Sequence, residues 1–214
     1  MRNVCLVILL LCGCLSVCSQ QRGVFTASVI PDSVFSMMQG KSFANDCRIK
    51  RDDLRLLRLS YYDAEGKTHI GEMIVNKAIA KDVVEIFGEL YDAKYPIERM
   101  QLIDEYDADD EKSMTANNTS AFNYRTIAGT NIISKHGKGM AIDINPLYNP
   151  CVHYKEGKIT KVEPSAGWRY ADRKKGYRYK IVKGDLCYRL FIKHGFTWGG
   201  SWRTTKDYQH FEKD

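Results

Sequence analysis

The sequence predicts a mixed α+β domain, and three patterned stretches carry that expectation. Arg55 to Tyr61, the turn Asp63-Ala64-Glu65-Gly66, and His69 to Val75 read as two strands joined in a hairpin. From Asn76 through Tyr91, Ile79, Val83, Ile86, Phe87 and Leu90 recur at helical spacing. Far downstream, Gly184-Asp185 opens a helix that buries Leu186, Leu190 and Phe191, and Gly195 stops it.

In chain order, residues 1–18 combine one Arg with an apolar run from Val4 to Val17, too short for a comfortable membrane span and suited to an export signal. Leu15-Ser16-Val17-Cys18 and Leu11-Cys12-Gly13-Cys14 are loose forms of a bacterial lipobox, so a cleaved signal peptide and a lipoprotein leader both fit. Either places the protein outside the cytoplasm, in the periplasm or anchored to a membrane by lipid. Residues 19–45 lack a clear period and read as a linker, with a single domain over 46–214. Met100, Leu102 and Ile103 follow the first helix as a short alternating strand, and the acidic run from Asp104 to Ser113 reads as a solvated loop. Ser120 to Arg125 read as a strand or strand end presenting Arg125, and residues 147–180 as a long excursion with no strong core pattern.

The chain carries a formal +6; without residues 1–18 it has 31 basic and 26 acidic side chains, a net +5. So mild an excess suits a polyanionic setting such as a cell wall, and no basic stripe with a reading helix points to nucleic acid. Thirteen tyrosines and three tryptophans hint at an aromatic-lined groove. Outside the leader stand Cys47, Cys151 and Cys187, an odd count that allows at most one internal disulfide, with no C-x-x-C spacing for zinc.

The chemistry concentrates in two segments. In SKHGKGMAIDINP, residues 134–146, His136 and Asp143 stand seven apart with glycines between them. If Ala141 to Ile144 form a strand, Ile142 and Ile144 face a core and Asp143 faces the other way, where it needs solvent or a cation. In WGGSWRTTKDYQHFE, Asp207 and His210 are three apart, and on a helical turn they would share a face. Two imidazoles and a carboxylate give Zn²⁺ three protein ligands and leave a fourth position for water, provided the segments meet. His69, His153 and His194 read as structural or surface histidines.

SKHGKGMAIDINP matches the S-x-H-x-x-G-x-A-x-D pattern of VanY-like zinc D-Ala-D-Ala carboxypeptidases. WGGSWRTTKDYQHFE resembles the ending of the subgroup containing L-alanyl-D-glutamate peptidases, and NNTSAFNYR resembles the segment carrying that family's active-site Arg. The resemblance spans roughly residues 65–214. It implies a small antiparallel sheet holding zinc, with flanking helices, of the D-Ala-D-Ala metallopeptidase/hedgehog-like type. It further implies His136, Asp143 and His210 as metal ligands, Asp207 as the catalytic carboxylate, Arg125 as a substrate-binding and catalytic Arg, and Ser134 as a substrate contact. Relatives often carry Glu where this chain has Asp207, which bears on the subgroup.

On that resemblance the expectation is a monomeric peptidase of peptidoglycan stem peptides, cutting either a terminal D-Ala or the L-Ala-D-Glu bond. Trp198, Trp202 and Tyr208 are expected to wall its groove. The rival class is a non-catalytic wall-binding module that keeps the metal as structure. Such a module would lose the proton-transfer carboxylate or the Arg first, and both Asp207 and Arg125 are present.

Overall fold

A computed structural model describes residues 23–127 and 129–214; the leader expected over residues 1–18 lies outside them. The stretch from 23 to 45 is no linker. It holds β1 (Phe25–Ser28) and α1 (Asp32–Met38), and Met38 is fully buried. β1 pairs antiparallel with β2 (Leu54–Tyr62), which pairs in turn with β3 (Thr68–Asn76) in the expected hairpin. At the bend Asp63 accepts hydrogen bonds from the backbone N–H groups of Glu65 and Lys67, at 3.0 and 2.8 Å.

α2 (Ala80–Asp92) starts four residues later than the periodicity predicts. Asn76 still belongs to β3, and its side-chain oxygen accepts from Ala78 N–H at 3.0 Å, organising the turn between them. Val83, Ile86, Phe87 and Leu90 form the buried stripe of α2 against the first sheet. The strand expected near Met100 is absent: Met100 O accepts one bond from Glu72 N–H at 3.3 Å, and Ile103–Tyr106 is a 3-10 turn. Nor is the acidic run merely solvated. Asp104 is buried and accepts from the Ser42 N–H and hydroxyl, and Asp110–Thr115 form α3, capped by Asp109.

The second half builds two more sheets from β4 (Ala141–Asp143), β5 (Cys151–Lys155), β6 (Lys158–Glu163), β7 (Thr197–Trp198), β8 (Thr205–Asp207) and β9 (His210–Glu212), with α4 (Leu186–Lys193) between β6 and β7. Their orders are β4-β9-β7 and β6-β5-β8, both antiparallel. Among the described residues the fold is therefore α+β with three small sheets. Residues 147–180 are not an excursion, because β5 and β6 bury Val152 and Val162 against Ala171 in a small core. Ser120 to Arg125 form no strand; Ser120 bridges Asp143 alone. The main core joins the first sheet, α2, α4 and β9, and Phe211 stacks on Phe191 with ring centroids 4.2 Å apart. Among the described residues no helix is long and apolar enough to cross a membrane.

Candidate metal centre

β4 and β9 meet so that Asp143 lies directly opposite His210, while the adjacent pair Ile142 and Phe211 is fully buried. Period-2 alternation thus anchors both strands through their apolar side chains and turns the carboxylate and imidazole to the other face. His136 reaches the same point from the turn before β4. That turn presses on neighbouring backbone at two glycines. A Cβ on Gly137 would stand 2.7 Å from Arg125 O. At Gly139, φ is +69° and a Cβ would stand 2.7 Å from Asn76 N.

The result is a tight cluster. His136 Nε2 lies 3.0 Å from His210 Nδ1 and 3.2 Å from Asp143 Oδ2, and His210 Nδ1 lies 3.0 Å from Asp143 Oδ1. Each ring's other nitrogen has an acceptor: His136 Nδ1–H donates to Ala121 O at 2.7 Å, and His210 Nε2–H to Glu212 Oε2 at 3.1 Å. With those tautomers the two facing nitrogens both present lone pairs, and the carboxylate presents another. Three electron pairs converge where only a cation or a proton can sit. Such a donor set, with both imidazoles oriented from behind, fits a zinc ion.

Protonation follows the same geometry. Burial pushes the His210 imidazole down, but the hydrogen bonds to Asp143 and Glu212 outweigh it and hold His210 up at about 10. Burial pushes the Asp143 carboxyl up, and the two imidazoles beside it prevail, so it is held well below the usual carboxylate range.

Asp207 is not on a helical turn with His210. It ends β8, and His210 begins β9, in different sheets with two residues between them. The Gly-Gly of the terminal motif lets this crossing happen: a Cβ on Gly199 would stand 2.7 Å from Asp207 O and 2.8 Å from its Cβ. Asp207 Oδ1 is buried with no hydrogen-bond partner among the described residues. Burial raises this carboxyl to about 6, with His210 and His136 pulling it down and Asp143 pushing it up.

The remaining expected residues divide. The Arg125 guanidinium pairs with Asp110 at 3.1 Å and donates to Asn123 O, half-exposed beside the His136 turn. Ser134 Oγ accepts from Gly137 N–H at 2.9 Å and so braces that turn. Trp198 does not wall a groove: it is buried against Phe211 and Tyr188, and its indole N–H donates to Tyr208 O. Trp202 is exposed, its ring 5.4 Å from that of His210. The Tyr208 ring lies under the Arg173 guanidinium at 4.2 Å. Cys47, Cys151 and Cys187 are all free thiols. His69 pairs with Asp63 and His194 with Asp82.

Sequence reasoning missed Glu212 and the Ala121 carbonyl. Glu212 was readable, because on a strand it shares a face with His210 two positions earlier; the carbonyl has no sequence signature.

Residues 128–213 match the family model of D-alanyl-D-alanine carboxypeptidases. That span holds His136, Asp143, Asp207 and His210, and Arg125 falls just before it. The likeness covers about two fifths of the chain, the part that holds the cluster, and selects no subfamily. No curated protein and no solved structure matches the chain.

Proposed function

We propose that this chain is an exported zinc peptidase that hydrolyses peptide bonds in peptidoglycan stem peptides. The observation that carries the reading is the convergence of His136 Nε2, His210 Nδ1 and the Asp143 carboxylate within 3.0 to 3.2 Å of one another. In this reading those three residues hold the ion. When bound, zinc supplies Lewis acidity, which acidifies water in its shell and polarises a carbonyl.

The rest is work for the chain's own groups. Asp207 Oδ1, unpartnered and buried, takes the proton of the attacking water and passes it to the leaving amine. Burial raises this carboxyl above the usual carboxylate range, in the direction that suits a group which must both accept and release a proton. Ala121 O and Glu212 keep both imidazoles in the tautomer that leaves a lone pair for the ion. Arg125 exchanges Asp110 for a substrate carboxylate, which it can clamp with two parallel N–H bonds. Trp202 offers an aromatic wall beside His210.

The protein acts, in this proposal, as a monomer in the periplasm or tethered to a membrane by its leader, on a fold of the hedgehog-like type of the VanY-like enzymes. Removal of a terminal D-Ala and cleavage between L-Ala and D-Glu both suit the site. The deciding experiment is mass spectrometry of purified muropeptides incubated with the protein, with and without chelator, alongside Asp207→Ala. Chelator-sensitive loss of D-Ala identifies a carboxypeptidase, and a new peptide beginning at D-Glu an endopeptidase. Absence of any product while zinc stays bound at the His136–Asp143–His210 cluster would overturn the proposal in favour of a wall-binding module.

A further inference from the structure

The sheet β6-β5-β8 gathers a second set of donors on one face. Cys151 lies opposite Glu163 on one side and Asp207 on the other, and His153 lies opposite Lys161 and Thr205. Strand alternation turns these six side chains the same way, while Val152 and Val162 pack behind them. Cys151 Sγ is 3.6 Å from His153 Nε2, and Glu163 Oε2 is 2.6 Å from that same nitrogen.

A nucleophilic Cys–His–Glu relay requires the imidazole to use one nitrogen for the thiol and the other for the carboxylate. Here both contacts fall on Nε2, and Nδ1 faces Thr205 Oγ1 at 3.4 Å. The arrangement converges on a point, as a coordination sphere does, and does not run in a line. The ligand atoms of Cys151, His153 and Glu163 all lie within 4.8 Å of one another.

We propose that Cys151, His153 and Glu163 form a second metal site, for a thiophilic divalent ion such as zinc. Bonds of about 2.3 Å to sulfur and about 2.0 Å to nitrogen at a tetrahedral angle separate the two ligand atoms by about 3.5 Å. The observed 3.6 Å already meets that separation. Glu163 Oε2 must draw back from Nε2 by roughly 0.7 Å to complete the set. Its other oxygen is held by Lys161 Nζ at 2.7 Å, and Thr205 sits behind the imidazole, so carboxylate and ring each have an outer partner. A thiolate ligand distinguishes this site from the His136–Asp143–His210 cluster, which has none, and favours softer ions. Because Cys151 pairs directly with Asp207 across β5 and β8, an ion here fixes the strand that carries the proton-transfer carboxylate.

Cobalt(II) separates the two sites, since only a thiolate ligand gives a sulfur-to-cobalt charge-transfer band in the near ultraviolet. After chelation and reloading, the protein is expected to bind two cobalt ions per chain and to show that band. Cys151→Ser should abolish the band and keep one ion, and His136→Ala should lose one ion and keep the band. A protein that binds a single cobalt with a band lost in Cys151→Ser would still support this site while counting against the His136 cluster. No thiolate band in the wild-type protein, or a band that survives Cys151→Ser, overturns the proposal.

Discussion

At Asp207 a buried carboxyl has no hydrogen-bond partner for one oxygen, an arrangement that costs stability and that the proposed function assigns to proton transfer. Asp207→Asn is expected to lower kcat by about 10²- to 10⁴-fold, the usual worth of a positioned general base. Metal content by elemental analysis should stay unchanged. The same variant should be more stable above pH 6. A carboxyl raised to about 6 from 3.8 contributes stability below pH 3.8 that is lost as pH rises through 6. Removing the charge should therefore stabilise the metal-free protein at pH 8, by up to about 3 kcal/mol, read as a higher melting temperature. His210 gives a second test. It is held up at about 10 by Asp143 and Glu212, so at neutral pH the metal-free cluster holds a proton that an incoming ion must displace. Calorimetric titration with zinc in buffers of different ionisation heat should report proton release at pH 7. Affinity should fall as pH falls.

Two elements keep the cluster in place, the strand β9 and the turn from His136 to Met140. Glu212→Gln leaves a hydrogen-bond acceptor for His210 Nε2–H but removes its charge. Metal affinity is expected to drop by about 10- to 100-fold in competition with a chromophoric chelator. In the turn, Gly139→Ala forces a side chain into φ +69° and against Asn76 N. Destabilisation of about 1–3 kcal/mol should appear in denaturant unfolding. These elements also mark how far the sequence could be read. Alternation in Ala141 to Ile144 was enough to turn Asp143 away from the isoleucines. The spacing of Asp207 and His210 was not enough to separate a helical turn from two strand ends, since i and i+3 suit either. β6 was illegible for a different reason: in Lys158–Glu163 only Val162 is buried and two of the six residues are lysine, so the apolar period is faint.

Across the whole molecule, the hairpin and the two long helices were legible because each buries a continuous stripe. β1, α1 and the buried Asp104–Ser42 contact were not, because their partners lie far along the chain. The candidate metal centre joins the two levels. His136 comes from a turn fastened to β3, Asp143 from β4, and His210 from β9, whose Phe211 sits in the main core. An ion bound by the folded chain alone adds stability as RT ln(1 + [L]/Kd), about 2.7 kcal/mol at a hundredfold excess over Kd. Chelation should therefore lower the melting temperature by several degrees, and readdition of zinc should restore it. Tyr208 and Gln209 are all that separates Asp207 from His210, and Gln209 is itself buried, its carbonyl bonded to Ile144 N–H. So short a tether sets the gap between base and ligand by covalent geometry. A single residue inserted there would uncouple the two while leaving every side chain of the site intact. Indel intolerance at 208–209 is thus the signature by which a working copy of this site can be told from a decayed one.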